Sequence, residues 1–413
     1  MGVLPCLVPL QPPPSPGVPA RVLPLIVLAQ LLGTSTWFAV NAVMPDLQRE
    51  FGWDAVAVGT LTAALQIGFI AGTLVFALLT LADRYPARRV FLICASAASG
   101  CTLAAAWSAD SFTTLVVWRT LTGFFLAGIY PVGMKIAAQW FPRGLGSALG
   151  WLVGALVLGS ASPHGLRALG AAWPWQHVFV GVAVAVALAG LIVWALVPDP
   201  PEPSDSTMKS GATALRLSAL ASLWRDRRVR ASALGYFGHM WELYTFWVLL
   251  PVVLATRFTT AGAVSGGAFV VIAVGALGCV LGGLLARRHG SARVATVQLA
   301  TSGLCCLAAP WALAAPGPVF VGWLLLWGVT AAGDSPQFSA LTAANAPRQA
   351  VGSVLTLSNS IGFAISALSI ELFVRLAQTV PLAQLLPWLA LGPALGSLAM
   401  RSLLSRPSGA SAP

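Results

Sequence analysis

Charge is what this sequence most lacks. Only 8% of its 413 residues are Asp, Glu, Lys or Arg, against about 25% in a soluble domain. So few charges cannot cover the surface of a water-soluble protein of this length, and that class is excluded. The six cysteines form no Cys-x-x-Cys and no Cys/His metal spacing, so neither a disulfide frame nor a zinc site is expected. One close Met/His pair, His239 and Met240, stands without a Met-x-x-x-Met, too little soft ligation for a copper site. No Ser/His/Asp set and no phosphate-binding loop is found, which argues against an enzyme and against a bound cofactor. No long polar stretch offers a separate soluble domain, which argues against a receptor or scaffold. Residues 1–20 lack the basic start and compact apolar stretch of a cleavable leader and read as a disordered tail.

What is present is apolar length. The chain is 57% hydrophobic with a mean hydropathy of +0.83, and a bilayer is the solvent that tolerates it. Runs long enough to span lie near 22–44, 55–80, 88–108, 112–137, 146–166, 176–197, 231–256, 262–286, 294–314, 318–343, 350–374 and 384–403. The expected fold is therefore all-α and membrane-embedded. A tail (1–21) precedes a six-helix half (22–197), a polar linker (198–230), a second six-helix half (231–403) and a closing tail (404–413). The end of the linker, 215–230, reads as a short amphipathic surface helix. The net charge of +11 sits in short loops. One set of loops carries Arg84, Arg88, Arg89, Arg143, Lys209, Arg216, Arg225, Arg227, Arg228, Arg230, Arg287, Arg288, Arg293, Arg348, Arg401 and Arg406, with Arg21 of the tail; the other carries Arg49, Arg167, Arg257 and Arg375. This bias predicts cytoplasmic termini and linker. It also accounts for the basic balance without nucleic acid.

The halves repeat. Leu81-Ala82-Asp83-Arg84 with Arg89-Val90 follows the second span, and Leu285-Ala286-Arg287-Arg288 with Arg293-Val294 follows the eighth. Two like halves around a midplane site are a recurrent plan. The sequence Leu79-Thr80-Leu81-Ala82-Asp83-Arg84-Tyr85-Pro86-Ala87-Arg88-Arg89 resembles the second-to-third-helix loop of the major facilitator superfamily, with Leu79 and Pro86 in place of its two glycines. Arg119 and Gly123 resemble its Arg-x-x-x-Gly in the fourth helix. Lys135 with Trp140-Phe141-Pro142-Arg143-Gly144 resembles the following loop. The resemblance implies a twelve-helix fold with a central cavity and a gating loop at Asp83, Arg84 and Arg88. It also implies secondary transport of a small molecule by alternating access, in a bacterial inner membrane and driven by a proton gradient. A monomer is expected, and uptake and efflux both stay open. A non-transporting receptor is the alternative from another class. The fifth span, with Gly150, Gly154, Gly159 and Ser162-Pro163, matches the superfamily's antiporter motif poorly and reads as small-residue packing.

Ionisable residues inside spans are functional candidates. Arg119 reads either as an anion-binding cavity residue or as a structural arginine on backbone carbonyls. His239 and Glu242, three apart on the seventh helix, read as a proton-carrying pair. Asp334, two residues before Pro336, reads as a site residue at a helix break or as a cap. Glu371 and Arg375 read as an i, i+4 ion pair. Trp37, Asn41, Tyr244 and Asn359 are candidate cavity walls.

Overall fold

The computed structural model describes residues 19–108, 110–141, 145–170, 172–199, 223–347 and 350–404. The tails beyond residues 18 and 404, most of the linker, Arg143 and Arg348 lie outside them.

Twelve spans run in alternating direction. They are α1 (Val22–Phe51), α2 (Ala57–Leu78), α3 (Ala87–Trp107), α4 (Phe112–Trp140), α5 (Leu145–Leu169), α6 (Gln176–Leu196), α7 (Arg227–Ala255), α8 (Ala261–His289), α9 (Ser291–Leu307 with Ala309–Ala314), α10 (Gly317–Gly333 with Ser335–Asn345), α11 (Val351–Leu376) and α12 (Leu382–Leu404). Among the described residues, ten are long and apolar enough to cross a membrane, with α1, α4 and α8 each carrying a short internal break. The ninth and tenth are interrupted, at Ala308 and Asp334, and neither longer piece exceeds 17 residues. The ends of α1 and α12 at Val22 and Leu404 define what is called here the near face.

The seventh span starts earlier than expected. Asp226 Oδ1 accepts from the amides of Arg228 (2.8 Å) and Val229 (3.1 Å), and this N-cap makes 227–230 the first turn of α7. Those residues are not part of a surface helix.

The interruptions have local causes. In α1, Thr34 Oγ1 donates to Gln30 O (2.8 Å) and Ser35 Oγ to Leu32 O (2.7 Å). Such hydroxyl back-bonding competes with the helical ladder, and residues 35–38 leave it. In α4, Pro131 follows the break at Ala127–Ile129. In α10, Pro336 has no N–H to offer Ala332 O, and Cys279 Sγ of α8 donates to that carbonyl instead (3.3 Å).

Close helix crossings repeat between the halves. A Cβ on Gly68 of α2 would lie 1.9 Å from Thr120 O, and one on Gly123 of α4 would lie 1.9 Å from Leu65 O. In the second half, Gly278 of α8 faces Val329 O at 2.0 Å and Gly328 of α10 faces Val271 O at 2.2 Å. The second and fourth helices of each half thus touch backbone to backbone through a glycine on each side. One buried apolar cluster lies wholly within residues 22–197. A second is built mostly from α7–α12 and takes in Trp37, Phe38, Phe69, Val153 and Val157 from the first six helices. The halves meet along α2 and α11, where Gln66 Nε2 donates to Ser366 Oγ (3.1 Å). They meet again along α5 and α8, where Gly150 and Gly154 face Cys279 and Ala276.

Candidate functional site

The break in α10 positions the site. Asp334, fully buried at the junction, has Oδ1 2.7 Å from His239 Nδ1 of α7, which is also buried. The His239 ring stacks on Tyr236 (5.9 Å, 28°) and packs against Phe338. Its Nε2 has no hydrogen-bond partner among the described residues. Beside it lies a small pocket walled by His239, Tyr130, Tyr236, Tyr244, Trp247, Asn359 and Phe363. Its volume is about 30 Å³, room for a water or two.

The sequence-based pairing of His239 with Glu242 is not formed. Three residues on, Glu242 turns away from the pocket into the second half. Its Oε1 accepts from Trp327 Nε1 (2.6 Å) and Cys306 Sγ (3.3 Å), and its Oε2 from Ser302 Oγ (2.8 Å). Two helices, α9 and α10, therefore close on one carboxyl of α7, and Trp327 is held flat on Phe246 (4.0 Å, 15°). Burying a carboxyl is tolerable only with such compensation. No signal in the sequence pointed to Ser302, Cys306 or Trp327.

Arg119 takes its structural reading. Nη1 donates to Thr36 O (2.9 Å) and Nη2 to Trp37 O (2.8 Å), the carbonyls exposed by the break in α1. It is fully buried and pairs with no carboxylate among the described residues. Asn41 also turns inward to its own half, donating to Thr62 Oγ1 (2.9 Å), and does not line the pocket. Glu371 and Arg375 form the expected ion pair, and Glu371 also reaches Thr60 of α2 (3.5 Å).

Trp37 belongs to an aromatic seal across the two halves. Trp37 and Phe38 of α1 and Phe69 of α2 meet Tyr244 and Trp247 of α7 and Phe363 of α11. Centroids are 5.7 Å for Trp37–Tyr244, 5.6 Å for Phe38–Trp247 and 4.8 Å for Phe69–Phe363. Tyr244, Trp247 and Phe363 are shared by the seal and the pocket wall.

The loop after α2 begins with Thr80 at φ 51°, a left-handed turn into the single-turn helix Leu81–Arg84. Lys135 of α4 pairs with Asp83, and Arg88 pairs with Asp199 and donates to Val197 O (3.0 Å) at the end of α6. Each of these bonds stays within residues 22–199. Arg84 is exposed, with no such partner among the described residues.

A sequence profile of the Major Facilitator Superfamily matches residues 26–370. The chain is 32% identical to a chloramphenicol resistance protein of Streptomyces lividans, over 57% of this chain and 59% of that protein. It is 24% identical to the uncharacterized MFS-type transporter YybF of Bacillus subtilis (strain 168), over 63% and 64%. The matched stretch thus spans less than two thirds of the length of either relative. Among solved structures, the proton:xylose symporter XylE bound to 6-bromo-6-deoxy-D-glucose superposes with a TM-score of 0.74 at 14% identity, covering 93% of this chain and 95% of that one.

Proposed function

This chain belongs to the Major Facilitator Superfamily of membrane transporters, and from that premise we propose that it moves a small organic solute by proton-coupled alternating access. The observation that carries the proposal is the buried His239–Asp334 contact beside an aromatic pocket between the halves. Ionisable residues inside a membrane span are proton-path or solute-path candidates by default; His239 lines the pocket, and Asp334 lies buried behind it. Solute enters between Tyr130, Tyr244, Trp247 and Phe363, with His239 Nε2 and Asn359 offering the polar contacts. A proton added to Asp334 removes the carboxylate charge from its contact with His239 Nδ1 and frees the α10 junction to move. The pocket is contracted here, so binding requires the halves to separate and the aromatic seal to part.

The Arg and Lys bias of the loops supports an inner-membrane orientation with both termini and the linker cytoplasmic. The likeness to a chloramphenicol resistance protein favours export over uptake. The chain acts as a transporter and not as an enzyme.

The test starts with thermal stabilisation of the purified protein by a compound library that includes chloramphenicol, at two pH values. Flux of a hit is then measured in proteoliposomes under an imposed pH gradient. Asp334→Asn should still bind the hit and exchange it at equilibrium while losing uphill transport. Uphill flux unchanged in both Asp334→Asn and His239→Gln would sink the assignment.

A further inference from the structure

At the near face, two adjoining clefts share Leu398 and Arg401 of α12: one lies between α12 and the start of α7, the other between α12 and Thr296 of α9. The first, about 270 Å³, is rimmed by Arg227, Arg230 and Arg401 over a floor that includes Leu234 and Leu398. The second, about 400 Å³, continues along α12 past Ser397 to Leu404. We propose that this paired cleft is a binding site for one anionic phospholipid. The phosphate would sit among Arg227, Arg230 and Arg401, and an acyl chain would lie along Leu398 in the second cleft.

Four observations converge on a lipid of that charge. Arg227 and Arg401 make no hydrogen bond or ion pair among the described residues, so their donors face the cleft or solvent. Asp226 uses Oδ1 to cap α7 and, among the described residues, forms no ion pair with the three rim arginines, which outnumber it. Arg230 is held in place by donating to Trp224 O (2.8 Å), and the exposed Trp224 indole lies where an interfacial anchor belongs. The wall of the second cleft is chiefly apolar, with Ala394, Leu398 and Leu404, as an acyl chain requires. Arginine forks match phosphate oxygens, and basic pockets between transmembrane helices select anionic headgroups. The apolar continuation is what a soluble phosphate would not need.

The site lies 12 residues from His239 on the same helix, about 18 Å at 1.5 Å per residue. A lipid bridging α7 to α12 would hold the near end of the helix that carries His239. This inference does not rest on the transport assignment.

The experiment is native mass spectrometry of the full chain in detergent, titrated with dioleoylphosphatidylglycerol, dioleoylphosphatidylcholine or glycerol 3-phosphate. One phosphatidylglycerol adduct should survive activation, on the order of tenfold favoured over phosphatidylcholine, with no glycerol 3-phosphate adduct. Arg227→Gln with Arg401→Gln should abolish the preference. Arg225→Gln with Arg228→Gln removes the same charge outside the cleft and should keep it. Ala394→Trp, which fills the second cleft, should weaken phosphatidylglycerol alone. Equal adducts for both lipids, or equal loss in both double variants, would overturn the site. Retention of glycerol 3-phosphate would show a headgroup-only anion site and refute a lipid.

Discussion

Replacing Arg119 by lysine separates charge from geometry. The arginine reaches two carbonyls of the α1 break with two different nitrogens, at 2.9 and 2.8 Å. A lysine keeps the positive charge but, as a point donor on a flexible stem, reaches one of them. Hydrogen bonds to charged groups contribute about 1.5–3 kcal/mol each, so Arg119→Lys should cost about that much. Arg119→Ala should cost about twice that. At roughly 2–4 °C per kcal/mol for a unit of this size, the lysine variant should melt about 3–12 °C lower. The sixteen tryptophans provide the intrinsic-fluorescence signal for melts in detergent. Solute affinity, measured as ligand-induced stabilisation relative to each variant's own baseline, should be unchanged in Arg119→Lys. A variant that melts like the wild type and loses solute binding would refute the staple and restore an anion-binding cavity arginine.

Further outcomes are expected. Glu242→Gln should lower thermal stability by about 1–3 kcal/mol, because an amide N–H₂ then faces a donor. It should retain pH-driven transport; loss of coupling with unchanged stability would reverse the roles of Glu242 and Asp334. Gly123→Ala and Gly278→Ala should each reduce monodisperse yield in size-exclusion chromatography, since overpacking costs about 1–3 kcal/mol even without a backbone clash; wild-type profiles would contradict the crossings. Asn359→Cys should react with a membrane-impermeant maleimide from one face only while Trp37, Tyr244 and Phe363 remain. Adding Trp37→Ala should admit the reagent from the other face, and equal labelling from both faces without it would remove the seal. Glu371→Ala should shift stability by no more than about 0.5 kcal/mol, as expected for an exposed i, i+4 pair; a larger loss in a melt would mean that the contact with Thr60 matters more.

The spans were legible because hydropathy over about twenty residues is a local quantity. So was the Glu371–Arg375 pair, four residues apart on one helix. Asp334 is legible as an acid inside an apolar span, with Pro336 marking a break beside it, but its partner His239 is not. What the sequence does not carry is which buried groups face each other. Glu242 finds Ser302 and Trp327, 60 and 85 residues along the chain, and His239 finds Asp334. A three-residue spacing places His239 and Glu242 on neighbouring faces of α7, but each finds its own partners: His239 meets Asp334 at the α10 break, and Glu242 meets Trp327 of α10 with Ser302 and Cys306 of α9. The break in α1 was missed because Thr34 and Ser35 are compatible with a helix. Only the Arg119 fork, contributed by another span, gives the opened carbonyls a reason to stay open.

The division of α10 into two rods has a mechanical consequence. Ser335–Asn345 is 11 residues, a stiff arm of about 16 Å pivoting at the residue that bears the acid. Tilting such an arm by ten degrees carries its near-face tip through about 3 Å, while Gly317–Gly333 stays clamped to α8 through the Gly328 crossing. On the proposed proton coupling, a change of one proton at the pivot would be geared into displacement at the membrane surface, with the longer outer rod as the frame.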